Sequence, residues 1–437
     1  MERKLTLKEK IQAFIKRQPK TSGKSVIAII LVLSLVVFGA GTMGDAIGKD
    51  NATKTKSAYD GDSLVKGTVV GDMMLGRSIM NKGSKNDYSG MFSGVSSLWQ
   101  DSDYVSGNLE CVLLDNPSDY EKNDKEIHIN AETKTADVLK ESGFTLINLA
   151  NNHLADFCAD GVVNTIDKLE KTGLDYVGAG KNITEAGKYN IQEVNGIKIA
   201  TVSVSDIIPK NFSATAGKAG ILSTNTMRYY QAVREASEEA DLVIANIHWG
   251  VEYGFNQTER QEQLGRNLIN FGADIVIGSH PHVLQPIEKY NDGIIFYSMG
   301  NFVFDQGWSR TKDSIVLNYF LDEDGNCSFE IVPVRIKNGY PTVTTNPYFK
   351  KRTYNTLTKN LSEGDYKVES NTLLLKNAIK VDLTKNDTQA TDDQQTAGTD
   401  NTGTGDTTGL EGTDNMTNDN TVDQNNTDYY NEDGINY

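Results

Sequence analysis

Four of the chain's five histidines follow short apolar segments that read as buried strands. Two acidic residues come earlier in the chain at the same kind of position, and the six candidates are Asp72, Glu110, His153, His248, His280 and His282. Imidazole nitrogens and carboxylate oxygens hold divalent metal ions, which polarise a substrate oxygen or activate water. The spacing therefore predicts a metal site assembled from several strand ends.

The segment His280-Pro281-His282 places two potential metal ligands only two residues apart. In an extended segment, residues two apart project to the same side, so the two imidazoles could reach two metals or bracket one. Pro281 fixes a backbone angle between them. A lone histidine is more often structural, and we interpret His128 in that way.

Asn152, next to His153, offers a neutral oxygen donor, and Asp72 follows Gly71, where the backbone can approach an ion closely. The alternative for Asp72 is a helix cap or a turn. Candidate ligands follow four different predicted strands, and helix capping or core packing would not be expected to place all of them there. We therefore favour a metal site.

The elements that must position these residues alternate along the chain. Strands are predicted at 67–71, 104–107, 144–149, 176–178, 197–204, 242–247, 275–277 and 294–298, and helices at 162–172, 226–240 and 257–271. Alternation of this kind indicates an α/β fold, and continuous apolar strands indicate a sheet covered on both faces. Active sites in such folds gather where strands run out into loops.

The amino-terminal segment predicts a membrane anchor. Residues 1–24 form a basic leader, and residues 25–44 contain no charge, enough for a helix that crosses a bilayer. A cleaved signal peptide is the alternative, but its apolar core is usually only about 7–15 residues long. Lysines and arginines stay cytoplasmic, which predicts a single-pass membrane protein with its main domain outside the cell.

Beyond a polar linker at 45–63, we predict a globular domain at 64–340 that closes with a hairpin around Asp322–Asn326. A carboxyl-terminal extension follows at 341–384, in which residues 353–380 are expected to hold one helix and one short strand. Residues 385–437 are polar and should be disordered. The net charge is −16, and residues 386–437 contain no Lys or Arg, so nucleic acid is excluded as a partner. Buried thiols are favoured for the three cysteines, although a Cys111–Cys158 bridge is possible.

Six motifs in order resemble the CapA (PgsA) family of poly-γ-glutamate capsule synthesis, a branch of the calcineurin-like metallophosphoesterase superfamily. They are GDMMLGR (71–77), GNLE (107–110), NLANNHLADF (148–157), HWGVEY (248–253), GSHPHVLQP (278–286) and SMGNFVFD (298–305). The resemblance covers roughly residues 65–335 and implies two β-sheets packed as a sandwich and flanked by helices. It also implies an amino-terminal membrane anchor.

The resemblance assigns roles to individual residues. One metal would be bound by Asp72 and His282, the second by Asn152, His248 and His280, with Glu110 as the bridge. His153, oriented by Asp156, would act as general acid or ligand to a substrate oxygen. Arg77, Asn108 and Asn301 would contact substrate. The metal would be Mn, Mg, Zn or Fe.

Two positions depart from the superfamily pattern. Met74 stands where Asp-x-His would place a histidine, and Asn108 stands where a carboxylate would follow glycine. The first functional hypothesis is a capsule or poly-γ-glutamate assembly or export component that handles an anionic polymer beside membrane and ligase subunits. A stand-alone metal-dependent hydrolase of a phosphoester or amide, and an inactive polymer-binding module, are the alternatives.

Overall fold

The computed structural model describes residues 57–80, 90–369 and 371–384. The predicted leader (1–24), anchor (25–44) and tail (385–437) lie outside these residues, as does most of the predicted linker (45–63). Within the described part, none of the helices combines the length and apolar character needed to span a bilayer.

The strands are short and mostly apolar. They are Val65–Met73 (β1), Tyr104–Leu109 (β2), Val112–Leu113 (β3), Asn130–Ala131 (β4), Leu146–Asn148 (β5), Asp175–Val177 (β6), Ala179–Gly180 (β7), Asn190–Val194 (β8), Ile197–Ser205 (β9), Gly220–Ile221 (β10), Leu242–His248 (β11), Ile275–Ser279 (β12), Ile287–Tyr290 (β13), Gly293–Phe296 (β14), Asn301–Val303 (β15), Asp313–Leu321 (β16), Asn326–Lys337 (β17), Tyr340–Val343 (β18), Lys367–Glu369 (β19) and Thr372–Lys380 (β20).

The helices are Arg77–Met80 (α1), Thr135–Glu141 (α2), Cys158–Thr172 (α3), Ile183–Ala186 (α4), Arg228–Glu239 (α5), Glu259–Asn270 (α6) and Pro347–Leu357 (α7). The three predicted helices are confirmed as α3, α5 and α6. Helix α6 begins at a capping box, in which Thr258 and Gln261 satisfy each other's backbone N–H groups.

Two large mixed sheets form the frame. The first has ten strands in the order β19-β20-β17-β16-β1-β2-β5-β6, with β15 beside β1 and β18 beside β17. The second has six, in the order β13-β14-β12-β11-β9-β8. Two-stranded pairings of β3 with β4 and of β7 with β10 complete the described sheets.

The apolar strands divide their side chains between two cores because successive residues point to opposite faces. In β11, Leu242 and Ile244 join a core that also holds Val65 and Val69 of β1, so this core lies between the two sheets. Val243 of β11 instead packs into a core shared with α5 and α6. The predicted covering of both sheet faces is therefore confirmed, and the two-sheet arrangement agrees with the fold that the resemblance implied.

Parallel pairing brings the carboxyl ends of key strands to common edges. Strands β1, β2, β5 and β6 pair in parallel in the first sheet, as do β9, β11, β12 and β14 in the second. The motif residues lie at or just beyond these ends.

The carboxyl-terminal region differs from the prediction in one respect. The hairpin is present as β16 and β17, and its turn is held by Asp322 Oδ1, which accepts a hydrogen bond from Asn326 N at 2.8 Å. The region holds two strands where one short strand was expected: the three-residue β19, and β20, which spans nine residues and pairs with β17 in the first sheet. Pairing with a long neighbour stabilises a segment whose own sequence is only partly apolar. All three cysteines are free thiols.

Candidate metal centre

Glu110 lies at the middle of the centre. It follows β2, is fully buried, and neither of its carboxylate oxygens has a hydrogen-bond partner among the described residues. It belongs to two groups whose potential ligand atoms all lie within 4.8 Å of one another: Glu110, His280 and His282, and Asp72, Glu110 and His248. The two groups contain five of the six residues predicted as metal ligands, and the sixth, Asn152, contacts His248.

His280 and His282 enter the centre by a backbone conformation that the sequence analysis did not foresee. They lie in a bend after β12, with φ angles of 95° and 57°, so the expected extended segment is wrong. Their rings are nevertheless 5.8 Å apart. Positive φ is costly for residues with a Cβ and is typical of functional sites. His280 N donates a hydrogen bond to Asp72 Oδ2 at 3.2 Å, which helps to hold this bend.

Asn301 orients the His282 ring. Its amide nitrogen donates to Gln306 Oε1 and to Thr311 O, so its oxygen is the acceptor for His282 Nδ1 at 2.9 Å. His282 Nε2 is then left 3.7 Å from Glu110 Oε1. Asn301 therefore positions a predicted ligand, whereas the sequence analysis placed it on the substrate.

His248, the last residue of β11, lies against Asn152. Its Nε2 is 3.0 Å from Asn152 Oδ1, and its Nδ1 is 3.0 Å from Ser279 Oγ. The His248 and His280 rings are 4.8 Å apart. The three residues assigned to the second metal are thus neighbours.

Asn108 and Asn151 connect the ends of β1, β2 and β5. Asn108 Nδ2 donates to Asp72 Oδ1 at 2.9 Å, and its oxygen accepts from Asn151 Nδ2 at 3.1 Å. Asn151 Oδ1 in turn accepts from His153 N at 3.0 Å. Asn151 is not among the predicted site residues, although it lies in the NLANNHLADF motif (148–157).

His153 and Asp156 form the predicted pair. His153 Nδ1 lies 2.8 Å from Asp156 Oδ2, which leaves Nε2 as the nitrogen able to exchange a proton. Lys125, which the sequence analysis also missed, bonds Asp156 Oδ1 at 2.8 Å and Asn152 O at 2.7 Å. The sequence around Lys125 does not indicate this role, because Lys125 lies in a loop outside the six motifs. Burial lowers the pKa of His153, against the opposing effect of Asp156.

Arg77 lies apart from the buried ligands. Its guanidinium pairs with Asp305 at 2.5 Å and its side chain is 36% exposed. It also lies over the Phe304 ring, at 5.5 Å from the centroid. The structure thus places Arg77 beside a carboxylate of its own chain.

The buried ionisable groups influence one another. Burial and Asp72 raise the pKa of Glu110 well above its usual range, although His282 opposes them. Burial and the neighbouring imidazoles lower the pKa values of His248 and His280. Burial also disfavours the charged form of His282, but the carboxylates of Glu110 and Asp72 outweigh it and raise its pKa to about 9.

The donor set fits a divalent metal. Burying a carboxylate without partners is costly, and the Nδ1 of His280 is likewise buried without a partner among the described residues. A cation between these atoms would satisfy both. Imidazole and carboxylate ligands suit Zn, Mn or Fe, and carboxylates also suit Mg. Met74, which stands at the histidine position of the Asp-x-His pattern, is packed in the hydrophobic core.

Known proteins resemble this chain over most of its length. A capsule biosynthesis protein CapA of Bacillus anthracis is 41% identical over 369 residues, covering 83% of this chain and 89% of that protein. A PGA biosynthesis protein CapA of Bacillus subtilis is 38% identical over 379 residues, covering 85% and 97%. Among solved structures, a 5'-nucleotidase precursor of Thermus thermophilus aligns with 11% identity, 68% and 58% coverage and a TM-score of 0.39, which supports no further conclusion. The family model for the bacterial capsule synthesis protein PGA_cap matches residues 66–306. The chain therefore belongs to this capsule synthesis family.

Proposed function

We propose that this chain is a membrane-anchored extracellular component of poly-γ-glutamate or capsule biosynthesis or export, with a divalent-metal site that acts on or guides the anionic polymer. Family membership supports the capsule role. The uncharged segment at 25–44 after a basic leader supports the anchor and the outward orientation. The chain would work beside membrane and ligase subunits that make the polymer.

The observation that carries the metal site is the pair of unpartnered oxygens on buried Glu110. Asp72 and His282 would hold one ion and Asn152, His248 and His280 the other, with Glu110 between them. When bound, the metal would polarise a substrate oxygen or activate a water molecule.

The remaining residues prepare the centre. Asn108 and Asn301 fix the carboxylate of Asp72 and the ring of His282 by the hydrogen bonds described above. His153 would exchange a proton through Nε2, because Asp156 holds its other ring nitrogen.

Elemental analysis of the purified full-length chain tests the metal site. We expect bound divalent metal in the unmodified chain and a large loss of it in His280→Ala. His128→Gln is the matched control, since His128 bonds the backbone oxygen of Asn123 outside the ligand groups. A chain that carries no metal and is indifferent to chelators would overturn the proposal. The inactive polymer-binding module would then be the remaining alternative.

The His153–Asp156 pair favours a second candidate, a metal-dependent hydrolase, because such a pair suits proton transfer to a leaving group. A model phosphodiester with Mn²⁺ is the assay. Turnover that His153→Ala abolishes would support hydrolysis, whereas no turnover with any divalent ion would count against it.

A further inference from the structure

A pocket of about 640 Å³ lies between helix α7 and the loops after β11 and β15. Its charged lining residues are all basic: Arg310, Lys351, Arg352 and Lys359. The aromatic rings of Phe255 and Tyr348 complete its walls with neutral polar residues. This lining is unusual for a chain whose net charge is −16.

Three of the four cations are not paired with carboxylates of the described chain. Arg352 pairs with Asp313 at 2.6 Å, and Lys359 bonds the neutral amide of Asn256. Arg310 instead lies over the Phe255 ring, 4.7 Å from its centroid, and Lys351 is exposed. The pocket thus offers positive charge to a ligand.

The pocket is connected to the metal centre through two short segments. The Tyr253 ring lies 6.2 Å from the His282 ring and stacks on Trp308 at 4.6 Å. Phe255 follows Tyr253 by two residues, and Arg310 follows Trp308 by two. The same backbone segments therefore border the metal centre at one end and the basic pocket at the other.

We propose that this pocket binds carboxylates of a polycarboxylate chain and holds the polymer beside the metal centre. The inference rests on the proposed function for the identity of the polymer. Guanidinium groups bind carboxylates through two parallel hydrogen bonds, and lysine adds a point charge. A concave pocket suits a chain with spaced charges, whereas a flat basic surface would suit a membrane.

The test is fluorescence anisotropy of a labelled γ-linked glutamate decamer with the full-length chain, in EDTA and in Mn²⁺. The double variant Arg310→Gln/Lys351→Gln removes two of the three cations that no carboxylate of the described chain pairs with, and keeps Lys359, which bonds Asn256. The control Lys171→Gln/Arg234→Gln removes two exposed charges elsewhere. Loss of two solvent-screened ion pairs corresponds to about 2- to 30-fold weaker binding. We expect that loss in the pocket variant, in both buffers, and none in the control.

Equal binding by all three proteins would overturn the proposal, and so would equal weakening by both variants. Displacement of the decamer by short-chain phosphatidylglycerol at lower concentration than by unlabelled decamer would assign the pocket to anionic lipid. The two proposals fail separately, because elemental analysis of His280→Ala reports on the metal and the EDTA measurement reports on the pocket alone.

Discussion

Replacing Glu110 by Gln separates a metal ligand from a structural residue. Gln keeps the size of the side chain but removes the charge. Both Glu110 oxygens are buried without hydrogen-bond partners and its pKa is raised, so in the metal-free protein the carboxylate gains mainly from the charge of His282. At a pH where His282 is neutral, we therefore expect the metal-free variant to be at least as stable as the unmodified chain. The variant should also lose the stabilisation that metal provides.

The size of that loss follows from linkage. A metal present at 100 times its Kd stabilises the folded state by about 2.7 kcal/mol. With an unfolding entropy of about 2.1 cal/mol/K per residue and roughly 300 folded residues, this corresponds to a Tm shift of about 4 °C. The unmodified chain should show this shift on addition of Mn²⁺ or Zn²⁺, and Glu110→Gln should show little of it.

Differential scanning calorimetry with and without metal measures both quantities. Glu252→Gln is the matched control, because Glu252 is exposed and influences Glu110 only through its charge. The reasoning is refuted if Glu110→Gln lowers the Tm of the metal-free protein by several degrees while the metal-induced shift persists. Glu110 would then be a structural residue.

Four further outcomes follow from the structure and the sequence. The pKa of His282 is raised to about 9, so a metal must displace a proton below that pH. Calorimetric titration should show the metal Kd falling about tenfold per pH unit from pH 6 to 8. The raised pKa of His282 also stabilises the metal-free fold. This stabilisation is complete below about pH 6.5 and is lost as the pH rises through 9, so the Tm of the metal-free protein should fall between these pH values. Burial raises the pKa of the Cys111 thiol to about 12, so a thiol reagent should modify it only after unfolding. Deletion of residues 385–437 should leave decamer binding within twofold, because we predict that this acidic segment, which would repel a polycarboxylate, is a spacer and not a polymer-binding arm. A large loss of binding would contradict that prediction.

Much of the fold could be predicted because its signals are local. The run DLVIAN places apolar side chains on both faces of a strand, and only a strand with covered faces tolerates this. Strand ends then located Asp72, Glu110 and His248 without knowledge of the sheet order, since parallel strands carry their carboxyl ends to one edge. The length of β20 was not predictable, because it depends on pairing with β17, which is distant in sequence.

The site was less predictable wherever the backbone leaves regular geometry. His280 and His282 reach the centre because their backbone φ angles are positive, and the spacing of the two residues does not reveal these angles. Lys125 reaches Asp156 across the fold from a loop without periodicity. Asn151 and Asn152 are adjacent, and only the turn after β5 decides which of them contacts His248 and which contacts Asn108.

Charge balance links one departure from the superfamily pattern, Asn108, to a need for an anionic ligand. Asn108 is a neutral donor to Asp72, and the nearby carboxylate is displaced to Glu110, so the centre contains two carboxylates and neutral donors. One divalent ion balances those two carboxylates, whereas a second leaves two positive charges in a buried site. Burying uncompensated charge is costly, so a second ion requires an anionic ligand. In the proposed function, a carboxylate of the polymer would supply that ligand, and the basic pocket lined by Phe255 and Arg310 would deliver it.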